Sequence, residues 1–248
     1  MIQLDNGWYM PDNEVKMTRH IQEDTDMSNP NYERKIRQRI IDTIPLKQTF
    51  VDVGANVGVW SMDMKKHFKK VVSYEPSTRV HECLIKNIGD AANVEVRDSA
   101  LGDKEVVVQF HDGIKNCGDS KIAMWESPDF YTVQVKRLDD ENLKNISLIK
   151  IDVQGYELPA ILGMEKVIEE QNPWVCFEIN NDVDTAVDFF MKRNYDQVYM
   201  KSKRVMIMAP KSGFMAPAKN HMGRYLGDGP YEKFSGKSGK VIPLQQGR

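Results

Sequence analysis

The sequence predicts an α/β fold in which helices doubly wind a mainly parallel sheet, and three observations predict it. Short β-branched runs alternate with stretches of helical period from Thr49 to Met191. A glycine turn, Asp52-Val53-Gly54-Ala55-Asn56-Val57-Gly58, joins the first of these strands to its helix. Finally, Asp52, Glu75, Asp98, Asp152 and Glu178 all fall at expected strand carboxyl ends, the rim where open α/β sheets bind ligands. Right-handed crossovers between parallel strands then place helices on both faces.

Residues 1–28 are polar and acidic, with Trp8 and Tyr9 as their large anchors. Asn29-Pro30 is a helix start, after which Tyr32, Ile36, Ile40 and Ile44 mark one face up to Pro45. This arm and helix, residues 1–45, either packs on the sheet as a structural element or closes over its edge as a substrate lid; both readings stay open. Residues 46–210 are expected to form the main domain. In the first strand-to-helix turn, Gly54 supplies unusual backbone angles and a close approach to ligand, and Gly58 lets helix and strand pack. Val57, Ser61, Met64 and Phe68 recur at helical spacing, with Trp60 beside them.

Val71 to Tyr74 form a second strand ending at Glu75-Pro76, and the helix from Ser77-Thr78 turns Val80 and Leu84 inward. Val94-Glu95-Val96 is a third strand, followed by Asp98-Ser99-Ala100-Leu101. Residues 104–138 interrupt the alternation with two further strands, Val106–Phe110 and Tyr131–Val135, an inserted hairpin. Its loop, Asp112 to Ser127, is expected near the site mouth, with His111, Asn116, Asp119 and Ser120 in or beside it. Ser147 to Asp152 is a strand leading to turn glycine Gly155 and a helix carrying Glu157, Leu158, Ile161, Leu162 and Ile168; Pro159 is tolerated in its first turn. Trp174–Ile179 repeats the scheme, and Val198-Tyr199-Met200 with Val205–Met208 suggest a closing pair, antiparallel to each other. The tail over 211–248 is rich in Gly and Pro, with recurring lysines (Lys211, Lys219, Lys233, Lys237, Lys240).

The 248 residues allow one large domain or two small ones, and the 14 methionines read as adaptable core filler. No run is long and apolar enough for a membrane span, and the first residues lack the pattern of a signal peptide. Cys83, Cys117 and Cys176 are dispersed and without metal-type spacing, which fits a reducing cytoplasm. The net charge of −2 gives no global drive toward nucleic acid.

A dinucleotide site would want G-x-G-x-x-G at the first turn, so that a pyrophosphate can sit on the helix N-terminus. Here Asp52 stands where the first glycine would be. A carboxylate there repels pyrophosphate and suits a ligand bearing an ammonium group, which favours S-adenosylmethionine over NAD. Glu75 lies about twenty residues on, the distance of a ribose-binding acid. Asp98 either accepts from an adenine amine or caps a turn. Five rim acids, with no phosphate-binding basic group among them, fit a cofactor that is cationic and rich in hydroxyls.

These motifs together resemble the FkbM family of S-adenosylmethionine-dependent methyltransferases. The resemblance runs over about residues 30–180: Tyr32-Glu33, F-V-D-V-G-A-N-V-G at 50–58, Y-E-P at 74–76, R-L-D-D at 137–140, I-K-I-D-V-Q-G-Y-E-L at 149–158 and F-E-I at 177–179. The family often has Glu where this chain has Gln154, so Gln154 is given no proton-transfer role. The resemblance implies a class I methyltransferase (Rossmann-like) fold, with a seven-stranded sheet closed by an antiparallel strand. It also implies methyl transfer to a hydroxyl of a sugar, glycan or secondary metabolite. The expected cofactor site is Asp52, Gly54, Ala55, Asn56, Gly58, Glu75, Pro76, Asp98, Ser99, Ala100 and Asp152. Asp152 is the leading catalytic candidate, with His111 and Glu178 as secondary bases. A metal is not expected, although Asp152, Glu178, Asn180 and Asn181 could offer oxygen ligands. The expected partner is a small-molecule or glycan acceptor, not a membrane, and a homo-oligomer is compatible with the sequence. Alternatives are a nucleic-acid methyltransferase using Lys65-Lys66, Lys69-Lys70 and Lys201-Ser202-Lys203-Arg204, a NAD-dependent dehydrogenase, and a non-catalytic S-adenosylmethionine-binding scaffold.

Overall fold

Strands that are apolar on both faces must be covered on both faces, and the computed structural model of the chain shows how this is done. The structure describes residues 1–22, 27, 30–123, 127–179, 181–198, 205–211, 232–234 and 241–243. A short antiparallel pair, β1 (Ile2–Gln3) and β2 (Tyr9–Met10), leads to α1 (Lys16–Gln22) and α2 (Arg34–Thr43). Then come β3 (Thr49–Val53), α3 (Val59–Met64), β4 (Lys70–Tyr74), α4 (Thr78–Ile88) and β5 (Val94–Arg97). Four strands follow: β6 (Ala100–Leu101), β7 (Val106–His111), β8 (Lys121–Ile122) and β9 (Tyr131–Lys136). The alternation resumes with β10 (Ile146–Ile151), α5 (Glu157–Leu162), α6 (Glu165–Gln171), β11 (Trp174–Glu178) and α7 (Val183–Met191). It ends with β12 (Tyr195–Val198) and β13 (Val205–Pro210), and a separate antiparallel pair joins β14 (Glu232–Phe234) to β15 (Val241–Pro243).

The main sheet has seven strands in the order β12-β13-β11-β10-β3-β4-β5. β11, β10, β3, β4 and β5 are parallel neighbours, whereas β13 runs antiparallel to both β11 and β12. This is the Rossmann-like class I methyltransferase topology that the family resemblance implies. The period-two alternation of side chains divides the core into two layers: Val51, Ile149 and Val175 face one, and Phe50, Leu148 and Cys176 the other. The expected inserted hairpin is present as the antiparallel pair β7–β9, and it widens into a four-stranded sheet, β6-β9-β7-β8.

One boundary differs from expectation. α2 begins at Arg34 rather than at Pro30, because Glu33 takes a left-handed conformation (φ 53°) and the Arg37 guanidinium claims the Pro30 and Tyr32 carbonyls. Asn29, residues 199–204 and the tail lysines Lys219, Lys237 and Lys240 lie outside the described residues, and so does the basic run 201–204. Among the described residues no helix is long and apolar enough to cross a membrane.

Candidate functional site

The β3–α3 turn lies at the carboxyl end of β3, the middle one of the five parallel strands. The Gly54 and Ala55 amides both donate to the Tyr74 carbonyl, at 3.0 and 2.9 Å. Gly54 has φ 74°, and a methyl group there would sit 2.0 Å from the Asp152 carbonyl oxygen. No side chain fits between these two strand ends. Asn56 is also left-handed (φ 53°), and its amide donates to Glu75 Oε2 at 2.9 Å. Gly58 serves packing, though not of helix on strand as expected: a methyl group there would meet Leu84 of α4 at 2.6 Å, and the residue does not line the cavity. Asp52 likewise does not line the cavity. It is fully buried, accepts from Ser61 Oγ at 2.6 Å and lies 3.3 Å from Lys150 Nζ. Its side chain points into the sheet's helical cover, beneath the turn rather than into it.

A cavity of about 180 Å³ opens above these strand ends. At one end Glu75 is buried, with Oε2 held by the Asn56 amide and Oε1 by the Ser77 amide, each at 2.9 Å. Burial pushes its carboxyl up to about 7, against the opposing pull of those two backbone donors. Pro76, Ser99 and Ala100 line the same region, and the buried Ser99 hydroxyl makes no hydrogen bond among the described residues. Asp98 does not join them: β5 ends at Arg97, and the chain turns Asp98 out to solvent before bringing Ser99 in. Of the insertion residues, Asn116, Asp119 and Ser120 line the cavity. His111 does not. Phe110 faces the cavity, so its neighbour on the strand takes the opposite side and packs edge-on against Phe130, with ring centroids 5.1 Å apart.

The other end of the cavity is acidic. Gln154 (φ 55°) donates its amide to Asp152 Oδ1 at 2.8 Å and to Glu178 Oε2 at 3.0 Å, so it bridges the two carboxyl groups. Burial, then the charges of Asp152 and Glu157, push the Glu178 carboxyl up to about 7. Asp152, Glu157 and Glu178 each offer an oxygen within 4.8 Å of the others. Glu157 is already engaged, accepting from the Val153 and Gly155 amides at 3.0 Å each. Asn180 lies outside the described residues, and Asn181 is exposed.

Between these acids lies Lys150, which the rim-acid pattern overlooked. Its ammonium donates to the Gly54 carbonyl at 2.7 Å and lies 3.3 Å from Asp52 and 4.0 Å from Asp152. Burial alone would lower its proton affinity, but Asp52 and Asp152 outweigh burial and hold it above the ordinary lysine range. The signal was available: a lysine inside the apolar run Leu148-Ile149-Lys150-Ile151 needs a buried acid partner. The lysines near α3 are partly occupied, half-buried Lys65 with the Ile88 carbonyl and exposed Lys66 and Lys70 with Asp63 and Glu95.

The N-terminal arm forms part of the cavity wall through Lys16, Met17 and His20 of α1 and through Tyr32 and Glu33. Glu33 Oε2 accepts from the Trp60 indole at 2.8 Å. The N-terminal segment therefore lies at the sheet's carboxyl edge, a position that both readings of the arm allow.

Residues 52–199 match the family model described as "Methyltransferase FkbM domain". Curated relatives include Methyltransferase 1 of Beauveria bassiana, 24% identical over 143 residues that cover 46% of this chain and 57% of the relative. Ribosomal RNA small subunit methyltransferase A of Staphylococcus carnosus is 24% identical over 184 residues, 73% of this chain and 55% of that protein. A solved structure of Methyltransferase FkbM from Methylobacillus flagellatus KT is 18% identical, with a TM-score of 0.47 over 67% of this chain and 43% of its own. The chain thus spans little more than half the length of these two curated relatives.

Proposed function

This chain belongs to the FkbM methyltransferase family, and we propose that it uses S-adenosylmethionine to methylate a hydroxyl group of a small-molecule or glycan acceptor. The observation that carries the reading is the pairing of the Gly54–Asn56 turn with buried Glu75 at one cavity end and the Asp152–Gln154–Glu178 bridge at the other. The residues present fit the cofactor on two grounds. Ser99 Oγ is a buried group in the lining with no partner among the described residues, placed to meet a base or ribose atom. Gly54 leaves no side chain between the turn and the strand end, so backbone is presented to a ligand.

On this reading Glu75 holds the ribose hydroxyls: each of its oxygens accepts one amide and keeps capacity for another bond. Gly54, Ala55 and Asn56 present backbone, and Pro76, Ser99 and Ala100 flank the base. Asp52 and Gly58 act from beneath, through Lys150 and through α4 packing. When bound, the cofactor supplies a methyl group activated by a sulfonium charge. The chain's own work is to orient the acceptor and move its proton. Asp152 and Glu178 face the same space, and Glu178, with its value near 7, is matched to accept a proton at neutral pH. Gln154 fixes both carboxyl groups through one amide and takes no proton. Lys150 pairs with Asp52 at 3.3 Å and reaches Asp152 at 4.0 Å, and it donates no proton to the reaction.

Calorimetry with S-adenosylhomocysteine tests the cofactor half directly. The wild type should bind, and Glu75→Ala should bind roughly ten- to a hundred-fold more weakly, the worth of lost hydrogen bonds to a charged group. Equal affinity in the two proteins would reject the assignment.

A further inference from the structure

Residues 30–33 are held against the cavity by a buried clamp. The Arg37 side chain is fully buried, and its donors go to the Asp63 carboxylate at 2.8 Å, to the Pro30 carbonyl at 2.5 Å and to the Tyr32 carbonyl. A guanidinium with no solvent contact is rare and costly unless its donors are satisfied. Here two of the three acceptors belong to this one loop. Glu33 follows in a left-handed conformation (φ 53°, ψ 18°), which strains a residue with a side chain. It stands at the N-cap of α2, where its carbonyl accepts the Ile36 and Arg37 amides while its side chain makes no capping bond among the described residues. What the conformation achieves is to turn the carboxyl into the cavity, where Oε2 accepts the Trp60 indole N–H at 2.8 Å. Neither Oε1 nor the hydroxyl of Tyr32, which lines the same cavity, makes a hydrogen bond among the described residues. Tyr32 lines the same cavity as Asp152 and Glu178, with its ring 5.6 Å from that of His20 in α1.

The charge balance at that end is lopsided. Glu33 and Glu178 are both held above the ordinary carboxylate range, by burial first and then by Asp152 among other neighbours. The cations that act on Glu33 are Lys150 and Arg37, and both are engaged, Lys150 with Asp52 and the Gly54 carbonyl and Arg37 in its clamp. Lys16 and Lys121 line the cavity from α1 and β8, beside the insertion. A phosphate or carboxylate brought against Glu33, Asp152 and Glu178 would be repelled, whereas an ammonium would relieve their crowding.

We propose that Tyr32 and Glu33 form the acceptor-orienting wall of this site, and that Glu33 selects a hydroxylated acceptor carrying a cationic nitrogen. The proposal rests on the methyltransferase reading. Both residues are positioning groups, outside the proton-moving pair.

The test uses nitrogen-15-labelled protein saturated with S-adenosylhomocysteine. The Trp60 indole resonance, assigned with Trp60→Phe, is followed while glucosamine, N-acetylglucosamine or glucose 6-phosphate is added. Glucosamine should shift the signal with at least about tenfold higher affinity than N-acetylglucosamine, the worth of a charge-assisted contact. Glucose 6-phosphate should not shift it. Glu33→Gln keeps an oxygen for the indole, so the fold and the Trp60 contact persist. It should erase the glucosamine preference and leave the affinity for S-adenosylhomocysteine within about twofold. A Trp60 signal indifferent to glucosamine, an absent preference, or a Glu33→Gln defect that falls on S-adenosylhomocysteine would each overturn the proposal. If the wild type gives no heat with S-adenosylhomocysteine, the methyltransferase reading fails first and takes this proposal with it.

Discussion

Lys150→Met should destabilise the fold severely, and the reason lies in a single pair of registered residues. Lys150 of β10 sits opposite Asp52 of β3, with 3.3 Å between ammonium and carboxylate, and both side chains are almost wholly buried. At that separation the attraction is about 5 kcal/mol with an effective dielectric near 20. Desolvation offsets much of it, so the intact pair is worth little net. Removing one partner is different, since it leaves Asp52 charged in an apolar layer, at a cost of about 3–5 kcal/mol. For a chain of this size that corresponds to a melting temperature roughly 6–20 °C lower. The pH dependence has a definite sign. The folded ammonium titrates above its ordinary value of 10.5, so its contribution is fully present below that value and is lost only as pH rises through the higher one. Any urea unfolding series between about pH 6 and 9 therefore sees the whole effect. Asp52→Asn in the Lys150→Met background removes the stranded charge and should restore at least about 1 kcal/mol. A Lys150→Met protein within about 0.5 kcal/mol of wild type, or a double variant no better than the single, would refute the ion-pair reasoning.

Asp152→Asn should lose at least about 2 kcal/mol of transition-state stabilisation, near thirty-fold in single-turnover methyl transfer, with cofactor affinity changed several-fold at most. A defect seen wholly in calorimetry would make Asp152 a binding residue. Glu178 is held near 7 against an ordinary 4.5, so its protonated form contributes stability that is fully present below about pH 4.5 and lost as pH rises through about 7. Glu178→Gln should flatten the urea midpoint across that window, leaving the residual slope due to Glu75, which is raised to the same value; an unchanged slope would remove Glu178 as its source. Turnover should be the same in chelator as without it, and loss restored by magnesium would make the Asp152–Glu157–Glu178 cluster a metal centre.

The fold was legible because a doubly wound sheet announces itself locally. Each strand is a β-branched run of about the expected length, and each turn carries its own glycine or acid, as at Gly54 and Gly155. The candidate site was legible in which strand ends meet, not in which side chains face inward. Gly54, Ala55, Asn56, Glu75, Pro76, Ser99, Ala100, Asp152 and Glu178 all reach one cavity, because the ends of parallel strands lie on one rim. Spacing could not tell which way a given side chain points. His111 and Asp98 were lost on that account, one by alternation along β7 and the other by the turn after β5. Asp52 and Gly58 stand in the expected motif but face Lys150 and α4, contacts that depend on partners 98 and 26 positions away (Lys150 and Leu84). Tyr32 and Glu33 were visible as a motif without a role, since only Arg37's buried clamp reveals where they are held.

The position of β13 has a consequence for how the polypeptide can be assembled during synthesis. This strand emerges after β11 and β12 but lies between them, antiparallel to both and buried along its whole length. Until residues 205–210 have left the ribosome, β11 ends the nascent sheet as a bare apolar edge and β12 has no neighbour to pair with. Insertion of a late strand between earlier ones is a non-local event, slow by its loop-closure cost, and it leaves that edge open to other chains in the meantime. A stalled or truncated chain ending before Val205 should therefore aggregate or be held by chaperones, even though the β3–α3 turn and Glu75 are already complete.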